Sequence, residues 1–267
     1  MKTIKLQKVE HDVKIGKDCP YSEPNIKEDC LLEVEGEVVG FYIKDVSKYS
    51  NKLSQLIAIS NKEFRTDNVP KQEMSRGPQG TKKDKLQREI DGKNLVTQFS
   101  TILGSVAPKP HMRRPYPTIS SVHREKKANT FIKAMWAASV ESENIIKQLT
   151  PHIHKSQLEL FKDVNKKWRF GNMFTSSISN FNIAAAYHRD TGNIVGAVNV
   201  ILTKRNNSNG GSLNVPDYNV TFEQADNSML VYPAWKNIHG VTPIIKTSED
   251  GYRNSLIFYP LKAFKGI

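Results

Sequence analysis

The chain is poor in cysteine, with only Cys19 and Cys30. Two residues cannot build a disulfide framework, and no CxxC spacing is present to suggest a zinc site. A reducing interior is the expected environment. Long apolar runs are missing as well, since nowhere do about 18 consecutive apolar residues occur, as a membrane-spanning helix requires. The opening MKTIKLQKVEHDVKIGKD has no apolar core segment and no small-residue cleavage pattern, so no secretory leader is expected. These absences predict a soluble, cytoplasmic protein with no membrane partner, and nothing points away from a monomer. Acidic residues are in deficit: 27 Asp and Glu face 39 Lys and Arg, a net charge of +12. Such a balance suits a polyanionic partner held partly by counterion release, and equally a basic protein with a solvated surface.

At 267 residues and 38% hydrophobic content, the chain can bury a large core, and one integrated domain is expected. Residues 1–117 read as an N-terminal extension packed on a core formed by residues 118–267. In the extension, LLEVEGEVVGFYI (residues 31–43) alternates as a strand pair turning near Gly36. Residues 61–93 are rich in charge, Gly and Pro and predict a basic mobile loop. Its Lys82, Lys83, Lys85 and Arg88 suit either phosphate contact or simple solvation. The four prolines of APKPHMRRPYPT (residues 107–118) exclude helix and predict an extended run carrying Arg113 and Arg114. Arg76 and Arg113 are candidate substrate-binding residues.

A helix is expected next, with Ile132, Met135, Trp136, Val140, Ile146 and Leu149 forming a core stripe near a 3.6 period and Pro151 closing it. Ser156 and Glu159 have capping-box spacing and predict the start of a second helix. His152 and His154 then fall between the helices, as surface residues. From Trp168 onward, short β-rich runs are separated by Asn, Gly, Asp and Pro clusters such as KRNNSNGGS. That pattern predicts a sandwich or jelly roll, and no internal repeat is evident.

The apolar run AAAYHRDTGN ends in a His-x-Asp pair, His188 and Asp190. On a regular strand, residues two apart share a face and can grip one ion. His239, in WKNIHGVTP, lies where a return strand can bring it alongside. Two imidazoles and one carboxylate on one side of an ion form the facial triad of non-haem Fe(II) oxygenases, whose open positions receive a cosubstrate and O₂. Arg253, in YRNSLIFYP, and Ser255 on the same strand face suit the distal carboxylate of 2-oxoglutarate, by a bidentate pair and a hydrogen bond. Asn180 and Asn182, on the strand before the pair, are within plausible reach of the same cosubstrate. Arg189, pointing to the opposite face, reads as a structural ion pair or a support behind the metal ligands.

Over residues 118–264 these motifs resemble the TET/JBP-type Fe(II)- and 2-oxoglutarate-dependent dioxygenases, which hydroxylate the methyl group of pyrimidines in nucleic acid. YHRDTGN resembles that family's His-x-Asp-x-x-Asn, GGSLNVPDYNVTF its Gly-Gly-x-Leu and Pro-x-Tyr strand, HGVTPI the segment of its distal histidine, and YRNSLIFY its Arg-x-Ser-Leu ending. RPYPTISSVHR and WRFGNMFTSSISNFNIAAAYHRD are similar to the compact TET-like enzymes of bacteriophage genomes. The resemblance implies an α+β protein with a double-stranded β-helix (jelly-roll, cupin-like) core flanked by helices. It implies that His188, Asp190 and His239 hold Fe(II), that Arg253 with Ser255 anchors 2-oxoglutarate, and that O₂ is the co-reactant. It also implies that Asn193 reaches a flipped base of DNA and that Tyr259 stacks on it, roles that fit the reading of an extruded pyrimidine by its Watson–Crick edge and its aromatic face.

One departure matters. Where the family places a base-contacting histidine two positions after the tyrosine, this chain has Leu261, which has no donor for a base edge. The resemblance implies 5-methylcytosine to 5-hydroxymethylcytosine as the reaction, and because of Leu261 thymine to 5-hydroxymethyluracil stands as the alternative. Two rivals of other classes are a 2-oxoglutarate hydroxylase of a protein side chain or small molecule, and a non-catalytic basic DNA-binding protein.

Overall fold

The structure is a computed structural model that describes residues 1–73, 98–112 and 114–267, the side chain of Met112 excepted. Arg76, Lys82, Lys83, Lys85, Arg88 and Arg113, the candidate phosphate and substrate contacts, lie outside the described residues. The N-terminal part supplies β1 (Lys2–Lys5), β2 (Cys30–Val34) and β3 (Glu37–Ile43). β2 and β3 form the expected hairpin, turning at Glu35 and Gly36, both at positive φ. α1 (Asn51–Phe64) follows, its first turn closed by the Ser50 hydroxyl accepting from the Leu53 N–H. Residues 61–64, expected to open the mobile loop, are instead the last turn of α1. Phe64 packs on Phe131 and Phe181, and Asn61 donates to the Tyr252 hydroxyl at 3.0 Å, so burial of one ring holds the helix where composition alone reads as loop.

β4 (Gln72–Glu73), β5 (Phe99–Val106) and β6 (Thr118–Ile119) come next. Between β5 and β6 the chain does not run extended as expected: Lys109 and Arg114 exchange two backbone hydrogen bonds around a 3₁₀ turn at Pro110–Met112. α2 (Asn129–Leu149) and α3 (Pro151–Leu160) are separated by Thr150 alone. Pro151 opens α3 instead of merely closing α2, because a proline at the first helical position gives up an N–H that has no intrahelical acceptor. Ser156 and Glu159 thus lie inside α3 and cap nothing. His152 and His154 are helical too, His152 Nε2 lying 2.8 Å from the Val38 carbonyl. α2 buries Phe131, Met135, Ala138, Ser142, Ile145 and Ile146. Trp136, expected in that stripe, is 51% exposed, since the buried face is centred one flank away.

The C-terminal part contributes β7 (Ser176–Phe181), β8 (Ala185–His188), β9 (Asn199–Asn206), β10 (Ser208–Gly210), β11 (Leu213–Val215), β12 (Val220–Phe222), β13 (Met229–Tyr232), β14 (His239–Val241), β15 (Ile244–Lys246) and β16 (Tyr252–Tyr259). The larger sheet has the order β1-β2-β3-β13-β9-β16-β7-β5-β4 with β6 on β5, and the smaller has the order β12-β11-β14-β8, while β10 and β15 form a short pair. β7, β9, β13 and β16 belong to one sheet and β8, β11, β12 and β14 to the other, so the chain shuttles between two facing sheets. This is the jelly-roll core, in an α+β protein, that the motifs implied.

Alternation along the strands divides the apolar side chains between two cores. Leu202, Val231, Leu256 and Phe258 turn toward α1 and α2, with Leu53, Ile57, Met135 and Ile146. Ile201, Leu230 and Tyr232 turn toward the smaller sheet, meeting Leu213, Val215 and Phe222. Arg253, Ser255, Ile257 and Tyr259 alternate with Leu256 and Phe258 on β16, and this register points them away from the helices. The segment between β1 and β2 runs along the free edge of β8: the Gly16 N–H donates to the Tyr187 carbonyl and the Tyr187 N–H to that of Lys17. His11 Nε2 lies 2.7 Å from Asp217 Oδ1. Covering an edge in this way satisfies backbone groups that would otherwise be open.

Candidate metal and cosubstrate centre

His188 closes β8 and His239 opens β14, and the antiparallel pairing sets them opposite each other with ring centroids 4.4 Å apart. Each ring is oriented by the backbone two residues earlier: His188 Nδ1 lies 2.7 Å from the Ala186 carbonyl and His239 Nδ1 lies 3.1 Å from the Asn237 carbonyl. A carbonyl only accepts, so both rings carry a proton on Nδ1, which leaves Nε2 as the atom available to a metal. His239 is 5% exposed. Burial, then the neighbouring His188, hold its pKa below the usual imidazole value, which keeps the ring neutral and ready to ligate.

Asp190 lies two residues past the end of β8, where its N–H donates to the Ala234 carbonyl at 3.1 Å. Its Oδ1 is 3.5 Å from His188 Nε2. One donor atom from each of His188, Asp190 and His239 lies within 4.8 Å of the others, a spacing that an ion with bonds of about 2 Å closes by small side-chain rotations. Asp190 Oδ2 faces away from the histidines and accepts from Asn199 Nδ2 at 2.8 Å and from Asn193 Nδ2 at 3.4 Å.

Across the cavity, Arg253 is 3% exposed, and its Nε is buried with no hydrogen-bond partner among the described residues. Desolvation, then the charge of Arg205, lower the guanidinium pKa to about 9. A buried cation without an acid is costly by itself, so the position calls for an anion from outside. Gly211, at φ +64, makes room for it: a Cβ there would come 2.5 Å from Arg253 Cδ. Ser255 and Asn180 are register partners on β16 and β7 and line the same cavity. Asn182 does not reach it as a free amide, because its Oδ1 accepts the Arg253 N–H at 2.9 Å.

The cavity has a volume of about 440 Å³, within the range of small-molecule sites. His188, Asp190 and His239 meet it on one side and Arg253, Ser255 and Tyr259 on the other, with Ile183, Val241, Ile257 and Leu261 as apolar wall. Burial, then the Asp190 charge, push the Tyr259 pKa up, so its phenol stays protonated. The Asn193 side chain borders the cavity but is itself 3% exposed, and its amide is taken up by Asp190 and by Asn199 Oδ1 at 2.8 Å. The Nδ2 end of the amide expected for contact with a base is thus engaged inside the protein. Arg189 is exposed and has no ion pair among the described residues, unlike the structural pair expected for it. Asn199 and Gly211 went unnoticed in the sequence as site residues; the Gly-Gly pair was a signal for the latter, and nothing local marks the former.

A jelly roll with two imidazoles and a carboxylate at one end, and a buried arginine without an acid partner among the described residues facing them, defines the class of Fe(II)- and 2-oxoglutarate-dependent oxygenases. A profile of the Tet_JBP family, the oxygenase domain of the 2OGFeDO superfamily, matches residues 105–262. That is more than half of the chain, and the protein belongs to this family. It is an oxygenase whose superfamily uses Fe(II), 2-oxoglutarate and O₂, and the donor set and the orphaned Arg253 Nε fit both groups. No curated protein matches the chain. Among solved structures, NgTET1 in complex with 5mC DNA is similar at 12% identity and a TM-score of 0.58, over 99% of this chain and 83% of that one. A 2OG-Fe(II) oxygenase-family oxidoreductase from Burkholderia pseudomallei (13% identity, TM-score 0.43, 82% of this chain and 83% of that one) and OsALKBH1 (12%, 0.40, 90% and 98%) are more distant.

Proposed function

We propose that this TET/JBP-family oxygenase hydroxylates the 5-methyl group of a pyrimidine flipped out of DNA, with 5-methylcytosine as the first target. The observation that carries the reading is the cavity in which the His188, Asp190 and His239 donors face Tyr259 and the unpaired Arg253. Likeness of fold to a TET enzyme crystallised with 5mC DNA and a net charge of +12 support a DNA partner.

In this reading His188 and His239 through Nε2 and Asp190 through Oδ1 hold the iron, and Arg253 with Ser255 binds the distal carboxylate of 2-oxoglutarate, Asn180 lying beside them. Once bound, the iron and 2-oxoglutarate would activate O₂, one oxygen atom entering the hydroxymethyl product and the other the succinate that remains when 2-oxoglutarate loses carbon dioxide. The chain positions and excludes. Tyr259 offers a ring for the extruded base, and Ile183, Val241 and Leu261 keep water from the methyl group. Extrusion costs a few kcal/mol, which stacking and phosphate contacts offset.

Thymine is the second reading. Leu261 has no donor and Asn193 Nδ2 already donates to Asp190 and Asn199, so neither offers a free donor to a 4-oxo edge. The test is mass spectrometry of nucleosides after aerobic incubation with Fe(II), 2-oxoglutarate and duplex DNA carrying each base. Hydroxymethyl product from one duplex assigns the base. No product from either, with succinate formed only on peptides or free metabolites, would remove the nucleic-acid reading.

A further inference from the structure

We infer that Asn199 is a positioning residue for the metal centre: by occupying Asp190 Oδ2 it makes the carboxylate a one-oxygen ligand. The inference rests on the reading of Asp190 as a ligand and adds what holds it. Asn199 opens β9, 3% exposed, opposite Tyr232 of β13. Its Nδ2 donates to Asp190 Oδ2 at 2.8 Å, and its Oδ1 accepts from Asn193 Nδ2 at 2.8 Å. The Asn193 amide also leans on Asp190 Oδ2 at 3.4 Å, and the Asn193 backbone N–H donates to the Asp190 carbonyl at 2.9 Å. Three side chains thus close a ring with Asp190 Oδ2 at its centre, while Oδ1 alone faces His188 Nε2.

The chemistry needs this division. An octahedral ion held by three protein atoms keeps three positions for the cosubstrate and O₂, whereas a carboxylate gripping through both oxygens would take one of them. Two N–H donors on Oδ2 oppose that rotation. Asp190 also lies in a turn past the end of β8, so the strand does not constrain its side chain, and the amide ring from β9 does. Loss of an outer partner of this kind weakens metal binding by about 10- to 100-fold. The same geometry gives Asn193 Nδ2 a place beside the acid.

The test uses Mn(II), a redox-stable probe, titrated into apo protein and followed by the electron paramagnetic resonance of free Mn(II). Asn199→Leu keeps the volume and removes the amide; its dissociation constant for Mn(II) is expected to rise about 10-fold. Asn193→Ala, which removes the longer contact, is expected to have a smaller effect, and Asn199→His, which restores a donor, to recover part of the loss. If Asn199→Leu does not fold by circular dichroism, Asn199→Ala gives the same reading. A folded Asn199 variant that is less stable yet binds Mn(II) with wild-type affinity would make Asn199 merely structural and overturn the inference. Failure of the wild type to bind Mn(II), or wild-type binding by Asp190→Ala, overturns the underlying ligand assignment instead.

Discussion

Arg205 and Arg253 stand opposite each other on β9 and β16, two cations side by side on adjacent strands. Their surroundings differ. Arg205 is turned to the carbonyls of Ser208, Gly210 and Gln224, while Arg253 keeps a buried Nε without a partner among the described residues. The first is a structural clamp, and the second is an unmet charge facing the cavity. Arg253→Met should therefore act in opposite directions on two measurements. Binding of 2-oxoglutarate to the Mn(II) form should weaken at least about 30-fold, equivalent to about 2 kcal/mol for truncating one partner of a buried charge pair. Stability of the apo protein in urea should hold or rise, because a desolvated, unpaired cation disappears. Isothermal calorimetry with intact 2-oxoglutarate affinity, or a clear loss of apo stability, would count against Arg253 as the anion anchor.

Metal should stabilise the fold through the three convergent donors. With Mn(II) at about 100 times its dissociation constant, linkage adds about 2.7 kcal/mol to the wild type, visible as a rise in Tm that excess chelator reverses. Asp190→Ala and His239→Ala should show no such rise. A shift of wild-type size in either variant would place the ion elsewhere.

The donors were legible in the sequence, but much of their setting was not. His188 and Asp190 lie two apart in the chain, and the runs around His239 and Arg253 carry recognisable patterns, so each residue could be named before its partner was seen. Pairing of β8 with β14 then does the bringing together. Asn199 was illegible because an asparagine at the start of a strand has no local mark; its meaning comes only from β9 passing behind Asp190. The contact of Asn193 Nδ2 with a neighbour six residues on was illegible for the same reason. Helix limits failed where two local signals competed: Pro151 at a first helical position outweighed the capping-box spacing of Ser156 and Glu159, and buried Phe64 carried α1 into a stretch of loop-like composition.

The edge segment before β2 should matter to the metal site although it contributes no ligand. Gly240 follows His239, and a Cβ there would lie 2.7 Å from Cys19 Cβ and 3.0 Å from Tyr187 Cδ1. Gly240→Ala is expected to cost about 1–3 kcal/mol by overpacking and to weaken Mn(II) binding by displacing His239. Adding Cys19→Gly should return part of both losses, whereas Cys19→Ala, which keeps the Cβ, should return little. Denaturant midpoints and Mn(II) titration of the three variants decide it, and equal behaviour of the two cysteine replacements would contradict the steric account.

His123 supplies a stability device that depends on pH. The Gly104 N–H donates to His123 Nε2 at 2.8 Å, so that nitrogen must be unprotonated. Burial lowers the His123 pKa below the usual imidazole value. The sign follows from proton counts: on acidification the unfolded chain takes up its proton at about 6.5, before the folded protein does, so protons favour unfolding. The contribution is present in full above about 6.5 and is lost as pH falls from there toward the lower folded value. Gln at this position can accept the same N–H without titrating. His123→Gln should match the wild type within about 1 kcal/mol at pH 7.5, the scale of one hydrogen bond, and should lose less stability on acidification to pH 5. His154 and His239 are also held below the usual value, so the wild-type slope has several sources. Only the difference between the two proteins isolates His123, and urea denaturation across that range measures it. Parallel stability curves would show that the imidazole of His123 is not the proton acceptor at Gly104.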